Sequence, residues 1–558
     1  MPRDIDEVAE DSIRRQSHDV LETTIGHFGR WQCLISILMA LLKLPIAWFS
    51  LSIVFLAPPT QFWCRQPEEY ANLSDAQWLQ AITPNDNSAL RKEGLNMGYC
   101  SMRDKYSNLN NSVPCSNGYS YNTSIFHSSI VTEWNLVCGQ QGLIDLSQIT
   151  FMLGILIGNI FFGVWADRKG RKPVLMACIF LQSIFGIIAS FVPWYWAFVL
   201  SRLLLAVFNG GTIVTSFVMC MEVVGGRWRT IVPILYQIPF GFGNSIMAGL
   251  AYFIRNWRSF HCALSVLSCL FVMYYYCLPE SPRWLLAVGR REEAIDILQK
   301  AATFNKKDTR EIDDIMTELS NVSSGGQKKS SFFVLFSTPQ LRLRSTLLFI
   351  KWTICGVTFF AFSQFLGHVS GNIYFTVATG GLIVLPGTFL CVYLVGKCGR
   401  KVTIACSHIA TSVFFLAILA VPKGCFPQDW PRVAFAACGI IAISISMPAM
   451  YLFTGELFPT VARNAGVGSS VMFSRVGSMI APLVVSLQGI GEHLPLLILA
   501  LAAFVEAVLV LFLPETKGKA LPETIQDLDK KRESKPKNKN GDYLELPQGI
   551  CRMEQEKC

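Results

Sequence analysis

Charge is scarce in this sequence. Asp, Glu, Lys and Arg make up 16% of its 558 residues, hydrophobic types make up 51%, and mean hydropathy is +0.39. A soluble domain carries about 25% charged residues and a disordered chain lacks long apolar runs, so both classes are excluded. Catalytic signatures are missing too. There is no Walker sequence, no paired catalytic carboxylates and no Ser-His-Asp arrangement, and the 18 cysteines and 7 histidines fall into no ligand spacing. These absences argue against an enzyme or a pump, and against any metal or cofactor. Gly241-Phe-Gly243, and Gly154 with Gly158, lie inside apolar runs with no strand before them, so they are close-packing glycines rather than a nucleotide fingerprint.

Long apolar runs are abundant. Twelve can be counted, from Leu34–Leu56 and Leu143–Trp165 to Val467–Leu487 and Leu494–Leu513, each near the roughly 20 residues a spanning helix needs. The implied fold class is an all-α polytopic membrane protein in a lipid bilayer. A net charge of +9 does not point to nucleic acid, because the basic residues flank apolar runs rather than alternate with aromatics. Arg30 precedes span 1, Arg168 to Lys172 follow span 2, Arg229 follows span 4 and Lys397 to Lys401 follow span 8. The positive-inside bias puts both termini in the cytoplasm, with Arg255 and Arg258 as external exceptions. The first run is long enough to span and follows a charged segment, so no cleavable signal peptide is expected. The division is then a cytoplasmic segment 1–30, a six-helix bundle 31–282, a cytoplasmic loop 283–344, a second bundle 345–516 and a cytoplasmic tail 517–558.

Between spans 1 and 2, the large segment 58–141 falls outside. It carries Cys64, Cys100, Cys115 and Cys138, an even set that suits an oxidising compartment and permits three pairings. It also carries three glycosylation sequons, at Asn72, Asn110 and Asn122.

An internal repeat organises the rest. Gly163-Val-Trp-Ala-Asp167-Arg168-Lys-Gly170-Arg171-Lys172 is echoed by Gly396-Lys-Cys-Gly399-Arg400-Lys401; Glu222 with Arg229 by Glu456 with Arg463; Pro279-Glu280-Ser281 by Pro514-Glu515-Thr516. The offsets are 233, 234 and 235 residues, so the halves read as two six-helix copies in one orientation. Such a pair describes a transporter rocking about a midplane site. Asp167, Arg168, Arg171, Glu222, Arg229, Glu456 and Arg463 form the expected cytoplasmic latch, pairing across the halves when the mouth is shut and hydrating when it opens. Their competing role is to set topology and cap helix ends.

These motifs resemble the major facilitator superfamily. The loop Gly163–Lys172 is similar to its cytoplasmic signature, and Pro279–Leu285 and Pro514–Gly518 to its sugar-porter-like branch. Thr132-Glu-Trp-Asn-Leu-Val-Cys138, Glu456–Asn464 and Gly26–Gln32 resemble the organic cation, anion and carnitine transporter family, solute carrier family 22-like, from about Asp19 to Leu528. The resemblance implies twelve helices in two pseudo-repeats, plasma-membrane location and alternating-access transport of small organic ions. One departure is visible: the second loop signature has Gly396-Lys397-Cys398 where the Asp-Arg pair is expected, which implies a latch in that half that is weaker or uses other partners.

Substrate class follows from charges inside the spans, where each ionisable group costs roughly 2.5–3.5 kcal/mol on insertion scales. Lys43, Lys351 and Arg475 fall on helices that line the path in the related fold, giving an electropositive cavity suited to a carboxylate, with Arg475 able to bind it bidentately. The resemblance implies that Arg475, within Ser474–Pro482, matches the arginine of anion and carnitine members. Glu506 is assigned to an outer helix, where a lipid-shielded contact to a neighbouring polar group is expected rather than substrate binding, and is left out of the site. The competing roles are structural: Lys43 bonding carbonyls freed by Pro45, Lys351 snorkelling. Trp352 and Phe359 share a helical face and resemble the family's ring pair; Tyr236, Gln237 and Tyr451 are polar handles. The expected substrate is a carnitine-like or β-amino-acid-like zwitterion or anion. A polyspecific organic cation carrier and a non-cycling sensor are the alternatives. No ion site accompanies the motifs, so a coupling ion or counter-substrate is left open.

Overall fold

Hydrocarbon offers no partner to a backbone amide, so the apolar runs must close their hydrogen bonds within helices. The computed structural model describes residues 24–66, 74, 77–78, 100–103, 112–115, 117–226, 228–307, 332–366, 372–422, 425–491 and 493–518. Within them, twelve helices are long and apolar enough to cross a membrane. Spans 1 to 6 are Arg30–Leu56, Cys138–Lys169, Arg171–Phe191, Tyr195–Val223, Ile231–Phe253 and Trp257–Cys277. Spans 7 to 12 are Pro339–Phe365, Ile373–Cys398, Arg400–Ala420, Trp430–Leu457, Ala465–Gly489 and Leu494–Leu511.

Two spans are broken where proline removes a ladder donor and its ring crowds the carbonyl four residues back. Span 1 turns at Leu42, three residues before Pro45, and span 5 turns at Tyr236 and Gln237, just before Pro239. Both breaks fall at positions singled out for chemistry.

The apolar cores reveal the conformation. The largest joins both halves, packing Phe49, Phe55 and Phe260 with Phe360, Phe362 and Phe365. Two others stay separate: one holds Trp31, Met219 and Tyr236 of the first half, the other Trp352, Met450 and Phe453 of the second. The halves therefore share a core at the end bearing the loop after span 1 (the disulfide end) and part at the end bearing Gly163–Lys172 (the basic end). Polar contacts agree. At the disulfide end Asn244 Nδ2 donates to Val377 O at 3.2 Å and Ser245 Oγ to Ala378 O at 2.7 Å, both between spans 5 and 8. A Cβ on Gly241 would meet Gly381 O at 2.5 Å, so only glycine permits this approach.

At the basic end the sequence repeat becomes a repeated brace. Gly170 (φ 108°) and Gly399 (φ 91°) adopt backbone angles that L side chains rarely take and release the chain into spans 3 and 9. Glu280 then accepts from the Arg171 and Lys172 amides, and Glu515 from those of Arg400 and Lys401. Each carboxylate satisfies orphan donors at a positive helix terminus.

In the segment after span 1, β1 (Phe62–Cys64) pairs antiparallel with β4 (Tyr119–Tyr121), and β2 (Ser101–Arg103) with β3 (Ser112–Pro114). These short strands fall outside the all-α expectation. Cys64 bonds Cys115 and Cys100 bonds Cys138, choosing among the three open pairings. Asn122 is exposed beside β4, while Asn72 and Asn110 lie outside the described residues. Glu133, from the Thr132-Glu-Trp motif, pairs with Arg258 and accepts from Trp257 Nε1 at 2.7 Å, which gives the exceptional arginine a structural task.

Partial burial pushes the Glu515 carboxyl up, but amide donors from Lys517, Arg400, Thr516 and Lys401 pull it below the ordinary range. A lowered carboxyl contributes stability above its unfolded pKa and loses it as pH falls through the folded value. Glu515→Gln should therefore lower thermal stability in detergent near neutral pH by about 1 kcal/mol, a figure reduced for its exposure. The gap from wild type should close as pH drops through the carboxylate range.

Candidate functional site

Where the two basic-end cores part, the broken segments of spans 1 and 5 face spans 4, 7, 10 and 11. Lys43 follows the Leu42 break directly, and its Nζ sits 4.7 Å from the Tyr236 ring centre. Tyr236 OH is 2.8 Å from Ser216 Oγ, so span 4 fixes the phenol. Arg475 enters from span 11 with its guanidinium 5.7 Å from the Phe360 ring. It lies near enough to Lys43 for the like charges to repel.

Neither cation meets an acid. Among the described residues Lys43 and Arg475 have no ion pair and no side-chain hydrogen bond, and Arg475 Nε is buried without a partner. Lys43 therefore does not bond the carbonyls freed by Pro45. Around the cations stand rings: Trp352 lies 4.7 Å from Tyr451, Phe217 5.7 Å from Tyr236 and 6.2 Å from Tyr451, and Phe240 6.2 Å from Phe359. Trp352 Nε1 donates to Thr454 Oγ1 at 3.0 Å, which orients the indole. Gln237 is half-buried with no side-chain hydrogen bond among the described residues. Phe217, Phe240 and Ser216 were not picked out from the sequence, because rings and hydroxyls are too common in apolar helices to mark a cavity.

Lys351 requires correction. Its Nζ is fully buried, 3.3 Å from Glu506 Oε2 and 2.9 Å from His408 Nε2. It neither snorkels nor adds a free charge to the cavity. Glu506, left out as an outer-helix residue, is its counter-ion and also accepts from Thr358 Oγ1 at 3.0 Å. Three expected cavity cations thus become two. The signal was present, since His408 and Glu506 are titratable groups in apolar runs and needed partners as much as Lys351 did.

The latch partners also need correction. Arg171 pairs with Glu222 at 2.9 Å and Asp167 at 2.8 Å, and Arg400 pairs with Glu456 at 2.8 Å, every bond within one half. Arg229 instead donates to Val224 O at 3.1 Å, Arg168 is exposed, and Arg463 lies in Coulomb range of both Glu456 and Arg229. In the second half Arg400 holds Glu456 as Arg171 holds Glu222; among the described residues the Asp167 pair has no counterpart there, and Thr516 adds a hydrogen bond to Glu456.

Twelve spans, parallel halves and repeated braces can now be set against known proteins. Residues 103–528 match the family model described as sugar (and other) transporter. An organic cation transporter protein of Drosophila melanogaster is 33% identical over 527 residues, covering 91% of this chain and 94% of that protein. Solute carrier family 22 member 3 of Rattus norvegicus is 34% identical over 532 residues, covering 90% and 94%. The chain belongs to solute carrier family 22 of the major facilitator superfamily.

Member 13 of Homo sapiens is 31% identical over 515 residues, covering 90% of this chain and 92% of its own. In fold, this solute carrier is similar to the inward-open xylose transporter XylE from E. coli, at 17% identity and TM-score 0.61, covering 89% and 99% of the two chains. In a multi-pass membrane transporter a buried charge pair such as Lys351–Glu506 serves structure or function. Breaking a buried pair leaves a charge stranded, at about 3–5 kcal/mol, while replacing both partners is often neutral. Lys351→Met should cut thermal stability by that order in detergent. Lys351→Met with Glu506→Leu should recover most of it.

Proposed function

We propose that this carrier moves small carboxylate-bearing organic ions, carnitine-like or β-amino-acid-like, by alternating access. The observation that carries the proposal is the pair Lys43 and Arg475: two cations near mid-membrane, with no acid beside either, in an aromatic-lined space. An arriving carboxylate supplies the missing counter-charge, with Arg475 offering a fork and Lys43 a point charge. Tyr236, Gln237, Trp352, Phe359 and Tyr451 complete the candidate site, the rings holding a cationic or apolar substrate end. Rocking of the halves about the shared core at the disulfide end would expose this space alternately to each side.

The same reading puts the basic end and both termini in the cytoplasm, by the positive-inside rule, the disulfide end outside at the plasma membrane, and a glycan on Asn122. The conformation is then open inward.

A second reading has support of its own. The Drosophila and rat relatives, the former named as an organic cation transporter, share about a third of their residues with this chain, and an aromatic cage binds organic cations well. Here Lys43 and Arg475 would serve structure alone.

Uptake separates the two. In cells expressing equal surface amounts of wild type and Arg475→Ala, uptake of radiolabelled carnitine, an aromatic cation and a dicarboxylate is measured. Loss of a charge-assisted hydrogen bond, about 1.5–3 kcal/mol, should reduce carboxylate uptake roughly 10- to 100-fold. Cation uptake unaffected by the substitution, with no carboxylate uptake by wild type, would favour the second reading.

A further inference from the structure

Behind the wall of the cavity lies a cluster that substrate contact does not use. Lys351, Cys355 and Thr358 follow one another at helical spacing on span 7, on a face adjacent to that of Trp352 and Phe359. They meet His408 of span 9 and Glu506 of span 12. Lys351 Nζ is 2.9 Å from His408 Nε2 and 3.3 Å from Glu506 Oε2, and His408 Nε2 is 3.2 Å from that same oxygen. Lys351 and Glu506 are fully buried and His408 is 2% exposed.

A lysine and a glutamate would satisfy one another without the imidazole. With it, no arrangement of protons satisfies every group. If His408 Nε2 accepts from the Lys351 ammonium, the ring proton sits on Nδ1, which is buried with no partner. If the proton sits on Nε2 and is donated to Glu506, the ammonium faces an N–H where it needs a lone pair. Each placement leaves a buried group unsatisfied, so the two compete. One further proton between Nε2 and Oε2 takes the cluster from net neutral to net +1 and costs the Lys351 ammonium its acceptor on the ring, so the cluster's bonds must change.

The other charged groups on packed elements lie elsewhere. Span 10 has Arg432 and Glu456 at its ends, Arg463 lies just before span 11, which has Arg475, and span 8 has Lys397 at its basic end. Cys355 is the remaining titratable side chain against Glu506.

We propose that Lys351, His408 and Glu506 form a proton-binding site on the wall of the translocation path, and that proton loading there is coupled to substrate movement. Lys351 is the sequence neighbour of Trp352, so a change in the cluster's bonds reaches the cavity through one turn of span 7. The proposal rests on the chain being a transporter, not on its preference for carboxylates.

Two measurements on purified full-length protein in liposomes test it. The first counts protons taken up by wild type and His408→Gln between pH 8 and 5, with no substrate present. Wild type should bind about one proton more, because glutamine keeps a donor and an acceptor but does not titrate. The second follows uptake of carnitine, an aromatic cation and a dicarboxylate as external pH is lowered from 7.5 to 5.5. Wild-type flux should rise at least about fivefold as the pH is lowered, while His408→Gln should stay within about twofold and keep its thermal midpoint. Equal proton uptake by the two proteins, or a pH profile that survives His408→Gln, overturns the proposal and leaves the transporter reading standing. A proton difference with no flux of any probe supports the site and counts against the transport reading.

Discussion

A charge held in hydrocarbon must be paired, hydrated or used, and this rule organises the whole molecule. Lys351 obeys it by pairing, with Glu506 in a space closed to water. Lys43 and Arg475 obey it differently. They have rings, hydroxyls and each other, and no carboxylate. Two like charges held together without an acid are tolerable only where water or a ligand reaches them, and the apolar cores of the two halves are separate at this end. The proline breaks at Leu42 and Tyr236–Gln237 lie beside Lys43 and at the ring it faces.

Movement of the halves requires each to hold its shape alone. The braces at Arg171–Glu222–Glu280 and Arg400–Glu456–Glu515 do this work inside each half. They tie the ends of spans 4 and 6, and of spans 10 and 12, to the starts of spans 3 and 9. A latch between halves would instead weld the mouth shut. Contact across the halves is concentrated at the disulfide end, where glycine backbones touch and two side chains reach across to carbonyls. Backbone contact of this kind can slide without stranding a charge.

Much of this was legible in the sequence. Twelve apolar runs and three motif pairs at nearly constant offset fix the number of spans and the duplicated halves, because length and register are one-dimensional properties. Partner choice is not. Glu222 was matched with Arg229 by a shared spacing, but the helix turn at Gly170 brings Arg171 to it from span 3, 51 residues away. Glu506 was legible as a residue held away from lipid by a polar neighbour, but span 12 is uniformly apolar, and an unvarying sequence carries no periodicity to say which neighbour that is. The aromatic pair Trp352 and Phe359 was visible from spacing within one helix. Phe217 and Phe240, which meet Tyr451 and Phe359 from the other half, could be found only once the halves were assembled.

The central claim is that the uncompensated charges of Lys43 and Arg475 recognise a carboxylate. Calorimetric binding of carnitine and of its carboxyl methyl ester to the purified carrier tests this most directly, because the two ligands differ in one charge. The ester should bind at least about tenfold more weakly, the loss expected when a charge-assisted hydrogen bond is removed. Equal affinities would contradict the account.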